Sequence, residues 1–314
     1  MEQLFIDAGY VRENLSPVVC IGLMEEVLKE QDDGSFVQYI RNQTVFPDSN
    51  IFGVMPAYSG KYFGAKVLSV YPDNFKRGLP SHQGAILLFE EETGKLIATV
   101  DAGMVTKIRT GAVSAVASKY LAVKRPEVLC IIGCGEQGES HIEALSEVFE
   151  FSRINLFDMS KDRAYSLMEK ACSGKNAVVC NSVEEAAAEA DIICTLTPGN
   201  TIVLEESMVK KGAHINAVGA CAPAKRELSS ELVRRSRFFC DNVDSVMKES
   251  GDLLYPLHEG LVGEDHILGT IGACINGKTF IRNEDDITVF EALGMAVEDL
   301  KCAIYLYEKK RGLL

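Results

Sequence analysis

From residue 128 onward, short apolar runs alternate with polar stretches of helical spacing. "VLCIIG", "RINLFD", "NAVVCN", "DIICTLT", "HINAVGA" and "RFFCDN" predict strands. Between them "GESHIEALSEVF", "SKDRAYSLMEKAC", "SVEEAAAEA", "EESMVKKG" and "SSELVRRS" predict helices. Repeated strand–helix units whose strands are continuously apolar imply a parallel sheet covered on both faces, the doubly wound α/β layout. Upstream the pattern differs. "SPVVCIGLMEEVLKEQ" predicts a helix capped by Ser16, with Pro17 at its first position. "FGAKVLSVY" predicts a strand, and "GAILLFEEETGKLIATVD" a hairpin turning at Glu92-Thr93-Gly94. "MVTKIRTGAVSAVASKYLA" predicts a closely packed helix of small residues, and the closing "DDITVFEALGMAVEDLKCAIYLYEKK" a single long amphipathic helix. If that last helix packs on the N-terminal half, the first domain is discontinuous. With Pro126 in "VKRPEV" as the boundary signal, the expected domains are 1–123 with 290–314, of α+β type, and 124–289, doubly wound.

The most specific motif lies at the first strand–helix junction of the second domain. Gly133, Gly135 and Gly138 spell G-x-G-x-x-G between a predicted strand and a predicted helix, the context a Rossmann dinucleotide site requires. Gly133 suits the tight turn, Gly135 the approach of a pyrophosphate to the backbone, and Gly138 close helix–strand packing. The helix N-terminus offers unpaired N–H groups and partial positive charge. Asp158 ends "INLFD" about twenty residues further on, where an acid accepts from the ribose 2′-OH and repels a 2′-phosphate, so NAD is expected in preference to NADP. Lys161 and Arg163 follow closely and suit a phosphate instead. Thr195 and Thr197 end a strand on the crevice side and are either cofactor contacts or ordinary strand filler.

Composition narrows the class. The 314 residues are 47% hydrophobic and 25% charged with a net charge of −13, a balance that disfavours nucleic acid and anionic lipid as partners. No apolar run is long enough to span a bilayer. The N-terminal "MEQLFIDAGYVREN" lacks the basic and apolar regions of a leader. Ten cysteines without a C-x-x-C pair fit free thiols in a reducing compartment, so no metal is expected and a cytoplasmic protein is. Among the basic residues of the first domain, Arg41, Lys66 and Arg109 draw interest because Lys66 interrupts an apolar strand and Arg109 precedes a run of small residues. His82 in "PSHQG" either lines the site or, the favoured reading, is a hydrogen-bonded turn histidine, and His141 and His214 read as structural.

"GVMPAYS", "GLPSHQGAILLFEEETGKLIATVDAG", "TKIRTGAVSAVASKYLA", "EVLCIIGCGEQGESHIEAL", "GAHINAVGA", "PAKREL", "KESGDLL" and "TVFEALGMAVEDLKCA" keep their order and spacing across both domains. Together they resemble the ornithine cyclodeaminase/mu-crystallin family, and most closely its mu-crystallin, ketimine reductase branch. The resemblance implies a homodimer, an NAD(P) cofactor and an amino- or imino-acid substrate. Under it the first domain binds substrate and forms the dimer. Arg41, Lys66 and Arg109 become the binders of the substrate carboxylate, with Lys66 also near the reacting carbon. Thr110, the glycine loop with Glu136 and Gln137, and Val218 with Gly219 join the candidate cofactor contacts. One departure matters. Where cyclodeaminases and related alanine dehydrogenases carry an aspartate two residues before the proline, this chain has Cys221 before Pro223. A neutral thiol handles a substrate ammonium poorly, so the reductase reading gains on the cyclodeaminase one, with Cys221 as either an activated acid or a pocket wall. Amino-acid dehydrogenase and non-catalytic ligand-binding readings stay open.

Overall fold

A computed structural model of the chain describes residues 3–198, 201–278 and 280–314, the Phe75 side chain excepted. Met1 and Glu2 of the acidic N-terminal segment lie outside the described residues. The first part of the chain runs β1 (Leu4–Ile6), α1 (Ala8–Asn14), α2 (Pro17–Asp33), β2 (Val37–Gln38), β3 (Asn42–Val45), β4 (Ile51–Tyr58), β5 (Tyr62–Val70), β6 (His82–Glu90), β7 (Leu96–Asp101) and α3 (Ala102–Leu121). Alternation follows with β8 (Val128–Ile132), α4 (Glu136–Val148), β9 (Arg153–Phe157), α5 (Lys161–Ala171), β10 (Ala177–Val179), α6 (Val183–Ala187), β11 (Ile192–Thr195) and β12 (His214–Ala217). Then come α7 (Ser230–Arg235), β13 (Arg237–Cys240), α8 (Val243–Glu249), α9 (Gly251–His258), β14 (Ile267–Thr270), α10 (Ile271–Ile275), β15 (Thr288–Glu291) and α11 (Ala296–Arg311). Two compact units result, Met1–Arg109 with Gly294–Leu314, and Thr110–Leu293. The division falls inside α3, ahead of Pro126.

In the first unit a seven-stranded sheet has the order β1-β7-β6-β5-β4-β2, with β3 also paired to β4. Strand alternation decides which side chains meet the core. On β5, Tyr62, Gly64 and Lys66 point to the buried face, in register with Ala57 and Met55 of β4 and with Leu88 and Ile86 of β6. Helix α11 lies against that face. Gly64 permits the approach, because a Cβ there would sit 3.2 Å from Leu300 Cδ1 and would collide with the Leu87 carbonyl. Helix α2 packs on α11 through Cys20, Met24, Val27 and Leu28, one turn-spaced apolar stripe. Its ends follow their residues: the Ser16 hydroxyl accepts from Val19 N at 3.4 Å, Pro17 opens the helix, and Gly34 closes it at φ +85°.

The second unit is built on eight parallel strands in the order β10-β9-β8-β11-β12-β15-β13-β14. The doubly wound sheet expected from the strand–helix alternation is present, and its order reverses at β8, between β9 and β11. Ligands of such sheets bind outside the carboxyl ends of the strands at that reversal. Two segments differ from expectation. The long closing helix is instead β15 followed by α11. Thr288, Val289 and Phe290 are β-prone and fully buried between β12 and β13, and Gly294 at φ +78° breaks the chain direction before the helix begins. "EESMVKKG" makes only a single tight turn at Glu206–Met208, since the chain on its N-terminal side is held extended, Val203 N and Leu204 N both donating to Glu227 O.

All ten cysteines are free thiols. Among the described residues no helix is long and apolar enough to cross a membrane, and no group of His, Cys, Asp and Glu is arranged to hold a metal. His141 and His214 are fully buried. Nδ1 of His141 bonds Gln137 O at 2.8 Å and Nε2 meets Ser114 Oγ at 2.9 Å, while His214 bonds Thr288 Oγ1 and Asn216 Oδ1. Burial holds the two rings down at about 4 and about 3. The folded values lie below the ordinary one near 6.5, so each ring costs stability as pH falls from there toward its folded value, by up to roughly 1.4 kcal/mol per pH unit. We expect the ring signals of these two histidines to stay at their neutral positions between pH 7 and 5 in an NMR titration. A shift of either with an ordinary midpoint contradicts their buried, neutral assignment.

Candidate functional site: a dinucleotide cradle and a buried charge cluster

The glycine loop between β8 and α4 is shaped by contacts that no other residue permits. Gly133 has φ +104°, and a Cβ there would lie 2.7 Å from Leu196 O. A Cβ on Gly138 would lie 2.9 Å from both Gly133 O and Leu167 Cδ2, so this glycine lets the helix seat on the turn. At Gly135 an added Cβ meets nothing within 4 Å. That residue caps α4 without a side-chain acceptor, which leaves the first-turn N–H groups of Glu136, Gln137 and Gly138 directed at the space beside it. An open approach to uncapped helix N–H groups is what a pyrophosphate needs, so the residues present fit a dinucleotide.

Asp158 follows β9 and reaches back to the loop. Its Oδ2 accepts from Cys134 N at 2.9 Å and its Oδ1 from Ser160 N at 2.8 Å. A carboxylate has about four acceptor sites, so two bonds leave capacity for a ribose hydroxyl. Lys161 is turned elsewhere: its Nζ donates to Cys180 O at 2.9 Å and to Asn181 Oδ1 at 2.8 Å, while Arg163 is exposed. The Cys134 thiol beneath the loop is pushed up to about 12 by burial and by Asp158, which keeps it protonated. Thr195 is fully buried in the sheet. Thr197 stands half-buried just beyond β11, its hydroxyl given to Glu227 Oε1 at 2.5 Å. Val218 and Gly219 follow β12, and the half-buried Cys221 thiol donates to Val218 O at 3.3 Å. Thr110 is a buried residue of α3 at the start of this unit.

In the first unit the structure brings Lys66 and Arg109 together and supplies them with partners. Lys66 Nζ lies 2.6 Å from Asp299 Oδ2 and donates to Thr106 Oγ1 at 3.4 Å. Arg109 Nε donates to Asp299 Oδ1 at 3.2 Å, and its Nη1 to Glu298 Oε2 at 2.8 Å. The four charged side chains are at most about 5% exposed. Gly294 makes room for this arrangement, since a Cβ there would sit 2.9 Å from Arg109 Nη1. Gln38 Oε1 accepts from Ala296 N and Val297 N and so fixes the start of the helix that carries both acids. The two bases therefore belong to a cluster of two cations and two anions, and are not a bare cationic clamp. Burial pushes the Lys66 ammonium down despite Asp299. Burial opposes the Arg109 charge as well, but Asp299 and Glu298 more than offset it and raise that group. Arg41 is half-buried between β2 and β3. Arg41 falls between Gln38, opposite Ala57, and Asn42, opposite Val54, where the register on β4 shifts by one residue. β4 in turn pairs with β5, the strand that carries Lys66. His82 is exposed and bonds Ser81 Oγ at 3.0 Å.

Sequence reasoning missed Glu298, Asp299 and Thr106, and also Glu227. A signal existed for the first two, a pair of adjacent acids in the first turn of an otherwise buried helix.

The model of the ornithine cyclodeaminase/mu-crystallin family matches residues 1–312 of the chain. Ketimine reductase mu-crystallin of Rattus norvegicus is 38% identical over 97% of this chain and 96% of its own. Delta(1)-pyrroline-2-carboxylate reductase of Bacillus cereus is 37% identical over 99% and 98%. Among solved structures, Delta(1)-pyrroline-2-carboxylate reductase of Thermococcus litoralis in complex with NADH and L-proline superposes with a TM-score of 0.96 at 31% identity, covering 99% of this chain and 98% of that one. An archaeal alanine dehydrogenase dimer with bound NAD superposes with a TM-score of 0.94 at 30% identity, covering 99% and 97%.

Proposed function

The chain belongs to the ornithine cyclodeaminase/mu-crystallin family, and from that premise we propose that it is an oxidoreductase reducing the C=N bond of an imino-acid carboxylate to an L-amino acid with a nicotinamide dinucleotide. Pyrroline-2-carboxylate and piperideine-2-carboxylate are the substrates that suit it best. The observation that carries the reading is the buried Lys66 ammonium, held by Asp299 and Thr106 with one of its three donors left beyond them. Its lowered pKa makes it a stronger acid than an ordinary lysine near neutral pH. Lys66 gives a proton to the imine nitrogen, becomes a neutral amine and is reprotonated from solvent. Arg109 and Arg41 hold the substrate carboxylate, Arg109 through N–H groups not aimed at Glu298 and Asp299. The glycine loop and Asp158 would hold the dinucleotide, which when bound would supply the hydride for the imine carbon. The balance is imine plus reduced cofactor plus one proton giving amine plus oxidised cofactor.

Cys221 supports reduction over cyclodeamination. Its thiol is given to a backbone carbonyl, and the position carries no carboxylate to manage the free amine that ring closure from ornithine requires. The test is oxidation of NADH and NADPH over cyclic and acyclic ketimines, with ornithine as a parallel arm. Saturable NADH oxidation with a cyclic imine is expected. Proline and ammonia from ornithine without net change in NADH would install the cyclodeaminase reading in its place, and NADH binding without turnover of any imine would favour a ligand-binding protein.

We also read the cofactor as NAD rather than NADP, on the free acceptor capacity of Asp158 and the commitment of Lys161 to other partners. Replacing Asp158 by alanine is expected to lower kcat/KM with NADH by about 10- to 100-fold, the weight of a hydrogen bond to a charged group, and to raise it with NADPH. An unchanged ratio of the two coenzymes defeats this assignment. A homodimer is the assembly that fits, since Val45, Phe46 and Phe52 leave an apolar patch exposed on β3, β4 and their connecting loop.

A further inference from the structure

One buried side chain ties together the two loops that follow β11 and β12. Glu227 is fully buried in the segment leading from β12 to α7. Its Oε1 accepts from Thr197 N at 2.8 Å and from the Thr197 hydroxyl at 2.5 Å, and its Oε2 accepts from Gly219 N at 2.8 Å. Because β11 and β12 are paired neighbours in the parallel sheet, this single carboxylate fixes the separation of the two loops at the strands' carboxyl ends. The fit is close. A Cβ on Gly219 would collide with Thr197 O and lie 2.6 Å from the Glu227 carboxylate. Glu227 is pinned in turn, since Asp252 Oδ1 accepts from the backbone N–H of Glu227 at 2.8 Å and of Leu228 at 2.7 Å.

Burying a carboxylate is costly, and what it does here that a neutral amide would not is accept from both loops at once, so the expense calls for a use. In an open parallel sheet the dinucleotide lies across the carboxyl ends at the point where strand order reverses. Here that point is β8, with Asp158 beyond β9 on one side and the loops after β11 and β12 on the other. Asp158 marks the adenosine half, so the loops held by Glu227 meet the nicotinamide half. Resting on the functional reading above, we infer that Glu227 is a positioning residue for the nicotinamide end of the cofactor, acting through the backbone of Thr197 and Gly219.

The Glu227→Gln variant tests this. The amide puts an N–H where one of the three donors needs an acceptor, so it satisfies one loop but not both. A misplacement of about 1 Å costs roughly 100-fold in rate. We expect kcat for imine reduction to fall by about 10- to 100-fold at saturating NADH. The Kd for ADP-ribose, which lacks the nicotinamide, is expected to stay within about two-fold of the parent's, because the glycine loop and Asp158 are untouched. A parent-like kcat overturns the inference. So does a loss of ADP-ribose affinity as large as the loss of kcat, since that is the mark of general loosening. Glu227→Asp, which keeps the charge but is one methylene short of reaching both loops, serves if the glutamine variant does not fold, and the same split is expected of it. NADH binding and imine reduction by the parent are measured alongside. Their absence removes the functional reading and this inference with it, whereas an active parent with an unaffected variant removes the inference alone.

Discussion

Replacing Lys66 by methionine is expected to lower kcat/KM for imine reduction by about 10²- to 10⁴-fold, the usual contribution of a positioned proton donor. Methionine keeps the length and apolar stem of the side chain and deletes only the ammonium. Its fold is expected to survive, because Asp299 remains bonded to Arg109 Nε once Lys66 Nζ is gone. The Kd for NADH should therefore stay at the parent's value and the melting temperature should fall modestly. In the parent, activity should decline as pH rises through the depressed lysine value, since the protonated form is the donor, and in the variant this limb should vanish. A Lys66→Met protein with parent kcat/KM on pyrroline-2-carboxylate would end the case for Lys66 as the acid.

The second large effect concerns stability. Asp299→Asn is expected to cost about 3–5 kcal/mol in urea unfolding at neutral pH, the range for removing one partner of a buried ion pair. Asp299 is fully buried and is shared by Lys66 and Arg109. Its neutral replacement leaves two buried cations with Glu298 alone. The sign of the pH dependence follows from the lysine. Its folded value already lies below the unfolded one of about 10.4, and losing Asp299 lowers it further. A base so depressed costs stability wherever the unfolded chain still binds the proton, which means at all pH values below the unfolded value. The deficit relative to the parent should thus be largest near neutrality, shrink as pH rises through the parent's depressed lysine value, and be small by pH about 10, where both proteins hold Lys66 neutral. A deficit that is small, or equal at pH 7 and pH 10, would show that Lys66 does not depend on Asp299 for its charge.

What the sequence could reveal was local. Gly133, Gly135 and Gly138 act within a few residues of one another, and their spacing already states the turn, the open approach and the seat of the helix. Asp158 is legible for the same reason, as the residue ending the next strand. Lys66 was half legible: strand alternation puts it with Tyr62 and Gly64, but nothing in the strand itself says whether that face is covered. Glu298 and Asp299 left only a weak signal, because acids in the first turn of a helix are ordinary, and their partners Lys66 and Arg109 lie far away in sequence. The strand β15 was hidden for a different reason. "TVFEALGMAVEDL" has apolar spacing compatible with a helix throughout, and only the tertiary slot between β12 and β13 makes its first residues extended. Glu227 illustrates the same limit, since its role depends on two loops from different strands meeting at one carboxylate.

The placement of β15 and α11 also governs how the polypeptide can be made. β15 is the last strand of its sheet to be synthesised, yet it fills an interior slot, and α11, later still, covers strands laid down long before it. Neither half of the molecule can close while residues 288–311 are inside the ribosome. Until they emerge, two strand edges and one apolar sheet face stay open to solvent, the surfaces on which nascent chains aggregate. A shortage of chaperones should therefore cost this protein more than ones whose sheets are complete from the amino terminus onward.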